Sequence, residues 1–261
     1  SVETTRPMNQ SSTSTTSTRR RSAKLLGVDV GGTFTDFVYW DGKALHLAKR
    51  PSTPIDPSKA VLSGIADEGW APLEVVHGST VATNTLLTRT GARTALITTK
   101  GFRDTLVIGR QARPYLYALH PERRPPLVPS ELRFEVDERI AADGSIVTDL
   151  NEKELTEVIS RISRSDVEAV AICLLFSFVN PIHEKRVAEQ VRLLGLHVST
   201  SHEVLPEHRE FERMSTTAAN AFVAPVMARY LRALEDGLSP KQGDSIRLRI
   251  MQSNGGSISA A

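Results

Sequence analysis

Residues 25–37 read Leu-Leu-Gly-Val-Asp-Val-Gly-Gly-Thr-Phe-Thr-Asp-Phe. An apolar run carries Asp29, the chain passes through Gly31 and Gly32, and a second apolar run resumes at Phe37. That order predicts two antiparallel strands joined by a tight turn, with Asp29 delivered to the carboxyl end of the first. Glycines at such a turn leave backbone N–H groups open to an anion, and the Thr33 and Thr35 hydroxyls add donors, so the turn suits a phosphate. Asp29 is placed to hold Mg²⁺ through water or to orient an attacking nucleophile. The pattern is neither GxGxxG nor GxxxxGK[ST], since no lysine follows. The plain alternative is a glycine-rich hairpin flanked by Asp29 and Asp36.

Working outward, FVYWDG and ALHLAKR continue as two further strands around the hairpin signal Asp41-Gly42. Asp56-Pro57 opens a helix to about Glu68, with Ala60, Val61, Ile65 and Ala66 on its buried face. A strand at Val75-Val76, a helix from Thr80 to Thr90 stopped by Gly91, and a strand from Thr94 to Thr98 follow. Leu132–Ile140 and Ile146-Val147 flank a second hairpin signal at Asp143-Gly144. Asn151 with Glu154 three residues later forms a capping box, and Val167–Phe176 reads as a fully buried strand. A helix runs from His183 to Leu194, a long helical stretch from Phe211 to Leu238 breaks near Pro225, and a last strand spans Arg247–Met251. The alternation gives an α/β fold with a mixed sheet and flanking helices, followed by a helical start of the next domain.

The chain has 261 residues, 40% hydrophobic and 24% charged, which is ordinary for a globular protein. No apolar run approaches the roughly 20 residues needed to cross a bilayer, so a membrane role is not expected. Lys and Arg number 32 against 30 Asp and Glu, a near balance whose slight excess matches the run Arg19, Arg20, Arg21, so nucleic acid is not implied. A single cysteine, Cys173, excludes an internal disulfide and fits a reducing, cytoplasmic setting. Residues 1–23 form a Ser/Thr/Arg-rich tail expected to be disordered; Glu3 and the lack of an amphipathic face argue against a targeting signal. The first residue is Ser1, so the natural start is expected elsewhere.

Other motifs carry bland alternatives beside functional ones. In HGSTVATNTLL (77–87), Gly78, Ser79 and Thr80 fall at a helix N-terminus, where free N–H groups favour an anion. Ser79 is equally an ordinary N-cap, and His77 is either an acid–base group or a structural histidine. Lys100, Arg103, Asp104, Arg110 and Arg113 surround a short helix and could bind an acid, or simply be solvated. His202, Glu203, Glu207, His208 and Glu210 match no zinc spacing. Cys173 within AICLLF reads as a small buried hydrophobe. Met251–Gly256 places Asn254, Gly255 and Gly256 after a strand, as either a ligand-facing loop or a plain turn.

Taken together and in order, GVDVGGTFTDF, HGSTVATNTLLTRTGARTALITTKGFRDTLVIGRQARP, EVDERI, AVAICLLFSFVNPIHEKRVAE, REFERMSTTAANAFVAPVMARYL and IMQSNGG resemble the hydantoinase A/5-oxoprolinase family. The turn is more similar to the hydantoinase and acetone carboxylase branch than to eukaryotic 5-oxoprolinases. The resemblance implies a sugar kinase/Hsp70/actin-like (ribonuclease H-like) fold. It also implies ATP and Mg²⁺ as cofactors, and a reaction in which a cyclic amide is opened through a phosphorylated intermediate.

By the same resemblance Asp29, Gly31, Gly32, Thr33, Thr35 and Asp36 meet the nucleotide phosphates, Asp29 with a catalytic part. His77 is a second catalytic candidate. Gly78, Ser79, Thr83, Asn84, Asn254, Gly255 and Gly256 line the cleft. Residues 24–204 would form the N-terminal domain, and 205–261 the truncated start of the central domain. A hydantoinase B-type subunit or fused domain, and an oligomeric assembly, are implied as partners. Family chains continue into a second phosphate turn that these 261 residues do not contain, so an incomplete site is expected. Two other functions stay open: a ketone carboxylase subunit, and a non-catalytic binding or assembly module.

Overall fold

The computed structural model describes residues 24–53, 56–112, 117, 119, 125–239, 246–252 and 254–259. The tail at 1–23 and Arg113 lie outside the described residues.

The quoted stretch forms the expected strands. β1 (Leu25–Val30) pairs antiparallel with β2 (Phe34–Trp40), which pairs antiparallel with β3 (Leu45–Pro51). The β2–β3 reversal uses Gly42 at φ 97°, with Asp41 accepting the Lys43 and Ala44 N–H groups. Strict alternation in β2 sends Thr35, Phe37 and Tyr39 inward and their neighbours outward. Helix α1 (Pro57–Asp67) crosses over so that β4 (Glu74–Ser79) lies parallel to β1. The inward position expected of Ala66 belongs to Gly64, because the Phe37 ring sits where a Gly64 Cβ would project, 2.5 Å from its tip.

Helix α2 (Val81–Thr88) then leads into a second sheet. Strands β5 (Thr94–Thr99), β6 (Arg133–Val136), β9 (Ala169–Cys173) and β10 (His197–Thr200) are parallel, in the order β10-β9-β5-β6. Their connections include α3 (Thr105–Ile108), the hairpin of β7 (Arg139–Ile140) with β8 (Ile146–Thr148), α4 (Glu152–Ser163), α5 (Ile182–Arg192) and α6 (Ser201–Val204). Leu132–Ile140 is therefore not one strand: it divides at Asp137-Glu138 into a sheet strand and a hairpin strand. The buried strand expected to reach Phe176 stops at Cys173, and Phe176 adopts φ 55° in the turn beyond it. Asn151 caps α4 by accepting the Glu154 N–H at 3.2 Å, but the Glu154 carboxylate accepts the Asp137 N–H instead of closing the box on Asn151.

Helix α7 (Glu210–Leu238) follows unbroken through Pro225, contrary to the expected interruption. Met214, Ala218 and Ala221 belong to the core of the second sheet, and Tyr230, Leu234 and Leu238 to the core of the first. Pro225 sits between these two halves. Its missing N–H frees a helical carbonyl one turn back. That carbonyl belongs to Ala221; the next one, Phe222 O, accepts the Ala92 N–H at 2.9 Å, so the loop after α2 is tied to the helix beside the ladder bond that Pro225 removes. The chain after residue 205, set apart above as the start of a further domain, supplies α7 and also β11 (Arg247–Met251). This strand lies parallel to β4 and carries β12 (Ser257–Ser259) on its far edge. The first sheet thus has the order β12-β11-β4-β1-β2-β3 and is mixed.

Gly91 meets α7 so closely that an added Cβ would stand 2.3 Å from the Phe222 ring and 2.5 Å from its carbonyl oxygen. Overpacking of that kind costs about 1–3 kcal/mol. Gly91→Ala is expected to lower the unfolding free energy by that amount, seen as a lower urea midpoint at unchanged m-value; an unaltered midpoint would show that this junction is loose.

Candidate active site

The turn joining β1 to β2 closes on the Gly31 N–H, which donates to Phe34 O at 3.0 Å. Neither Gly31 nor Gly32 has positive φ. What favours glycine at 31 is proximity, since a Cβ there would lie 3.1 Å from Phe34 O; Gly32 faces the Asn84 amide at ordinary contact distance. The turn is held from outside as well. The Ser52 hydroxyl, just past β3, donates to Gly31 O at 2.7 Å and lies 3.0 Å from the buried Thr35 hydroxyl. The Ser52 N–H donates to Thr33 O at 2.9 Å. Ser52 is one residue that sequence reasoning missed, since nothing in Pro51-Ser52-Thr53 distinguishes it from a loop serine.

Because β1 and β4 are parallel and in register, Asp29 stands beside Gly78 and Val28 beside His77. Alternation then sends the two sequence-nominated catalytic groups to opposite faces of the sheet. The exposed Asp29 carboxylate lies over Gly78, its Oδ1 3.1 Å from where a Cβ would be. Across β2, the exposed Asp36 pairs with Lys49 at 3.0 Å. No cation pairs with Asp29 among the described residues.

His77 is 1% exposed. Its Nε2 lies 2.7 Å from the Tyr230 hydroxyl, which reaches it from α7. Burial pushes the imidazole down to about 4, opposed by the Val28 carbonyl and the Asp29 carboxylate. Burial also raises the Tyr230 phenol, while the nearby Ser79 hydroxyl acts the other way. At neutral pH the pair is an uncharged phenol against a neutral imidazole.

On that helix-covered face a cleft of about 780 Å³ opens behind the turn. Gly31, Gly32 and Ser52 border it at one end, Asn84, Thr85 and Thr88 from α2 along one wall, and Val226, Tyr230 and Ala233 from α7 along the other. Asp56 and Pro57 at the start of α1 close it. Thr83 is exposed on α2 and lies outside the cleft lining. Ser79 accepts the Val81 N–H at 3.1 Å, and Thr80 bonds back to Val30 O, so these residues brace the α2 start. Asn254, Gly255 and Gly256 form the β11–β12 turn, with Gly255 at φ 84° and the Gly256 N–H on Asn254 Oδ1. Since β11 runs parallel to β4, this turn shares the carboxyl edge of the sheet with Gly31 without lining the cleft.

The basic cluster around α3 is engaged elsewhere: Arg103 with Ser130 O, Arg110 with Glu212, Lys100 with Asp137 and Glu154. His202 lies on the buried Glu184 carboxylate, and no group of three metal-ligating side chains exists among the described residues. Cys173 is buried, and burial pushes its thiol up to about 11, as a structural cysteine requires.

A glycine turn between the first two strands of a mixed sheet, with a carboxylate at the end of the first and a helix-backed cleft behind, defines a domain of the sugar kinase/Hsp70/actin class. The chain belongs to the hydantoinase/oxoprolinase family. The family's N-terminal region matches residues 25–195, and its hydantoinase/oxoprolinase domain matches residues 213–261. Caprolactamase subunit alpha of Pseudomonas jessenii is 39% identical over 248 residues, covering 88% of this chain and 35% of that protein. The crystal structure of ATP-dependent caprolactamase from the same organism aligns with TM-score 0.76 at 37% identity, over 89% of this chain and 36% of that one. Nucleotide-free acetone carboxylase aligns with TM-score 0.77 at 27% identity, over 92% and 37%. The chain thus spans about a third of the length of these relatives. Among the described residues, no helix is long and apolar enough to cross a membrane.

The unfolded His77 imidazole takes up a proton near pH 6.5 and the folded one near 4. Between those values the unfolded chain binds more protons, so stability falls as pH drops through the window. The loss across it is about 3 kcal/mol. His77→Gln removes this titration and should flatten urea-derived stability between pH 6.5 and 4 relative to wild type. Parallel pH slopes in the two proteins would count against a buried neutral His77.

Proposed function

We propose that this chain is the N-terminal part of an ATP-dependent subunit that opens a cyclic amide, a hydantoin, 5-oxoproline or similar lactam, through a phosphorylated intermediate. The observation that carries it is the position of the turn at 31–34, which borders the Asp29 face of the sheet on one side and the cleft on the other. Phosphates held by the turn's N–H groups would have the Asp29 carboxylate beside them. A small ring in the cleft would present its oxygen to the same turn from behind. The Gly31, Gly32, Thr33 and Thr35 segment, braced by Ser52, orients the phosphates, with Asp36 and Lys49 setting the charge beside them.

A single exposed carboxylate with no cation partner fits Mg²⁺, which is commonly held by one or two carboxylates together with substrate phosphates. Asp29 is the residue that would hold the ion, through water, and Mg²⁺ so bound would neutralise charge on the transferring phosphoryl group. The cleft sets Val81, Val226 and Ala233 among polar side chains that include Asn84, Asp56 and Arg229, a mixed lining that can take a small ring by its carbon skeleton and hold its polar edge. In this reading His77 acts from the core through Tyr230 rather than on a reacting atom. A hydantoinase B-type subunit or fused domain would supply the remaining chemistry, in an oligomeric assembly in the cytoplasm.

A ketone carboxylase role is the second reading, favoured by the alignment with acetone carboxylase. ATP turnover by the full-length chain with its partner separates them. Lactam-stimulated hydrolysis without bicarbonate is expected, and bicarbonate-dependent turnover on ketones would favour the carboxylase. Asp29→Ala should weaken Mg-ATP binding about tenfold or more, as loss of a charged partner does. Unchanged Mg-ATP affinity in that variant would remove the central support, and absence of any lactam-stimulated turnover would sink the hydrolase reading.

A further inference from the structure

We infer that the sheet face carrying Asp29 is a docking surface, and that its occupant is an amphipathic segment of the full-length subunit lying beyond residue 261. The inference rests on the proposal that this chain is the N-terminal part of a longer subunit, and concerns how that subunit closes on the sheet. The helices that cover the first sheet, α1 and α7, lie on its other side, where Val61, Ile65, Leu234 and Leu238 share a core with Leu26, Val28, Phe37 and Tyr39. Register and alternation set the remaining side chains in rows across the uncovered face. The first row reads Leu45, Trp40, Leu25 and the second Leu47, Val38, Gly27. All five side chains in these rows are exposed, Leu25 by 41%, Leu45 by 59% and Leu47 by 73%. A sheet face that meets water carries polar residues at such positions, and contiguous apolar ones mark an interaction surface. The third row, Lys49, Asp36 and Asp29, is charged, so the apolar surface stops one row short of the Asp29 carboxylate. Beside Leu25, Glu74 on β4 pairs with Arg247 on β11 at 3.0 Å and gives the patch a polar rim.

The occupant follows from what the chain offers and where its last strand points. Residues 1–23 contain only Val2, Pro7, Met8 and Ala23 as apolar side chains, too few to cover two rows. β12, on the far edge of the same sheet, runs from Ser257 beside Met251 to Ser259 beside Arg249, towards the end of the sheet that holds Leu25, Trp40 and Leu45. The chain makes up 35% of the caprolactamase subunit it resembles, so in the longer subunit most of the polypeptide would follow this strand. From β12 to β3 is five strand spacings, about 24 Å, a reach of about seven extended or sixteen helical residues. A segment of modest length therefore reaches both apolar rows. Seated there, it leaves the Asp29 row open and walls it on the side away from the glycine turn.

Cys173 is buried and its thiol is pushed up to about 11, so Leu47→Cys or Leu45→Cys introduces the reactive thiol of this chain. Alkylation by iodoacetamide, followed at each position by peptide mass spectrometry, is compared between the 261-residue chain and the full-length subunit, with Lys43→Cys at the exposed β2–β3 reversal as the control. Both patch cysteines should react freely in the shorter chain. In the full-length subunit they should react on the order of a hundredfold more slowly, because reaction waits on opening of the interface, while the control reacts alike in both. Leu47→Asp should lower the urea midpoint of the full-length subunit and leave that of the 261-residue chain in place. Equal labelling of the two chains, protection of the shorter chain that grows with its concentration, or protection that appears only when a hydantoinase B-type partner is added would each overturn the inference, the last two in favour of a second copy or of the partner. ATP-dependent lactam turnover is measured on the full-length wild type alongside. Turnover with an unprotected patch leaves the functional reading intact and removes this one, and protection without turnover does the reverse.

Discussion

Everything in this molecule depends on one helix being buried twice. At 29 residues, α7 is about 44 Å long, enough to lie across two sheets that no strand connects. Its first half fills the core of the parallel sheet with Met214, Ala218 and Ala221, and its second half fills the core of the mixed sheet with Tyr230, Leu234 and Leu238. Each of the larger buried side chains contributes roughly 1.5–3 kcal/mol, so neither half is free to move without exposing apolar surface. The helix also sets the back wall of the cleft, because the residues that leave the core near its middle, Val226 and Ala233, are the ones that face the glycine turn. Fold and site therefore share one wall.

The same economy explains the proline. A proline inside a helix usually costs about 3 kcal/mol because one bond of the ladder is lost and the ring crowds the preceding turn. At Pro225 the helix passes from one sheet to the other, and a backbone donor from outside, Ala92, is bonded at the neighbouring turn. The interruption expected from Pro225 alone did not occur because tertiary burial on both sides outweighs the local preference, which is a weak prior in any helix.

Much of the fold was legible because its signals are local. The three antiparallel strands, both Asp-Gly reversals and the cap at Asn151 rest on residues within a few positions of one another. The division of Leu132–Ile140 was not, since Asp137 and Glu138 leave the strand to bond with Glu154 and His183, partners that no window of sequence brings together. In the site, the turn itself was visible, and so was Asn84. Ser52 and Tyr230 were hidden for different reasons: Ser52 acts across 21 residues on Gly31, and Tyr230 sits in a helical stripe where an aromatic residue reads as core. The opposite facing of Asp29 and His77 could be seen only once the register of β1 against β4 was known.

The brace that Ser52 places on the turn has a thermodynamic consequence. A loop that an anion must first assemble loses backbone entropy on binding, on the order of 1–2 kcal/mol for each residue fixed. Here Gly31, Thr33 and Thr35 are already held by the chain end of β3, so that entropy was lost during folding and is not charged to the ligand. A phosphate bound there, as proposed, would meet the turn as it meets a solid surface, with the shape decided before the encounter.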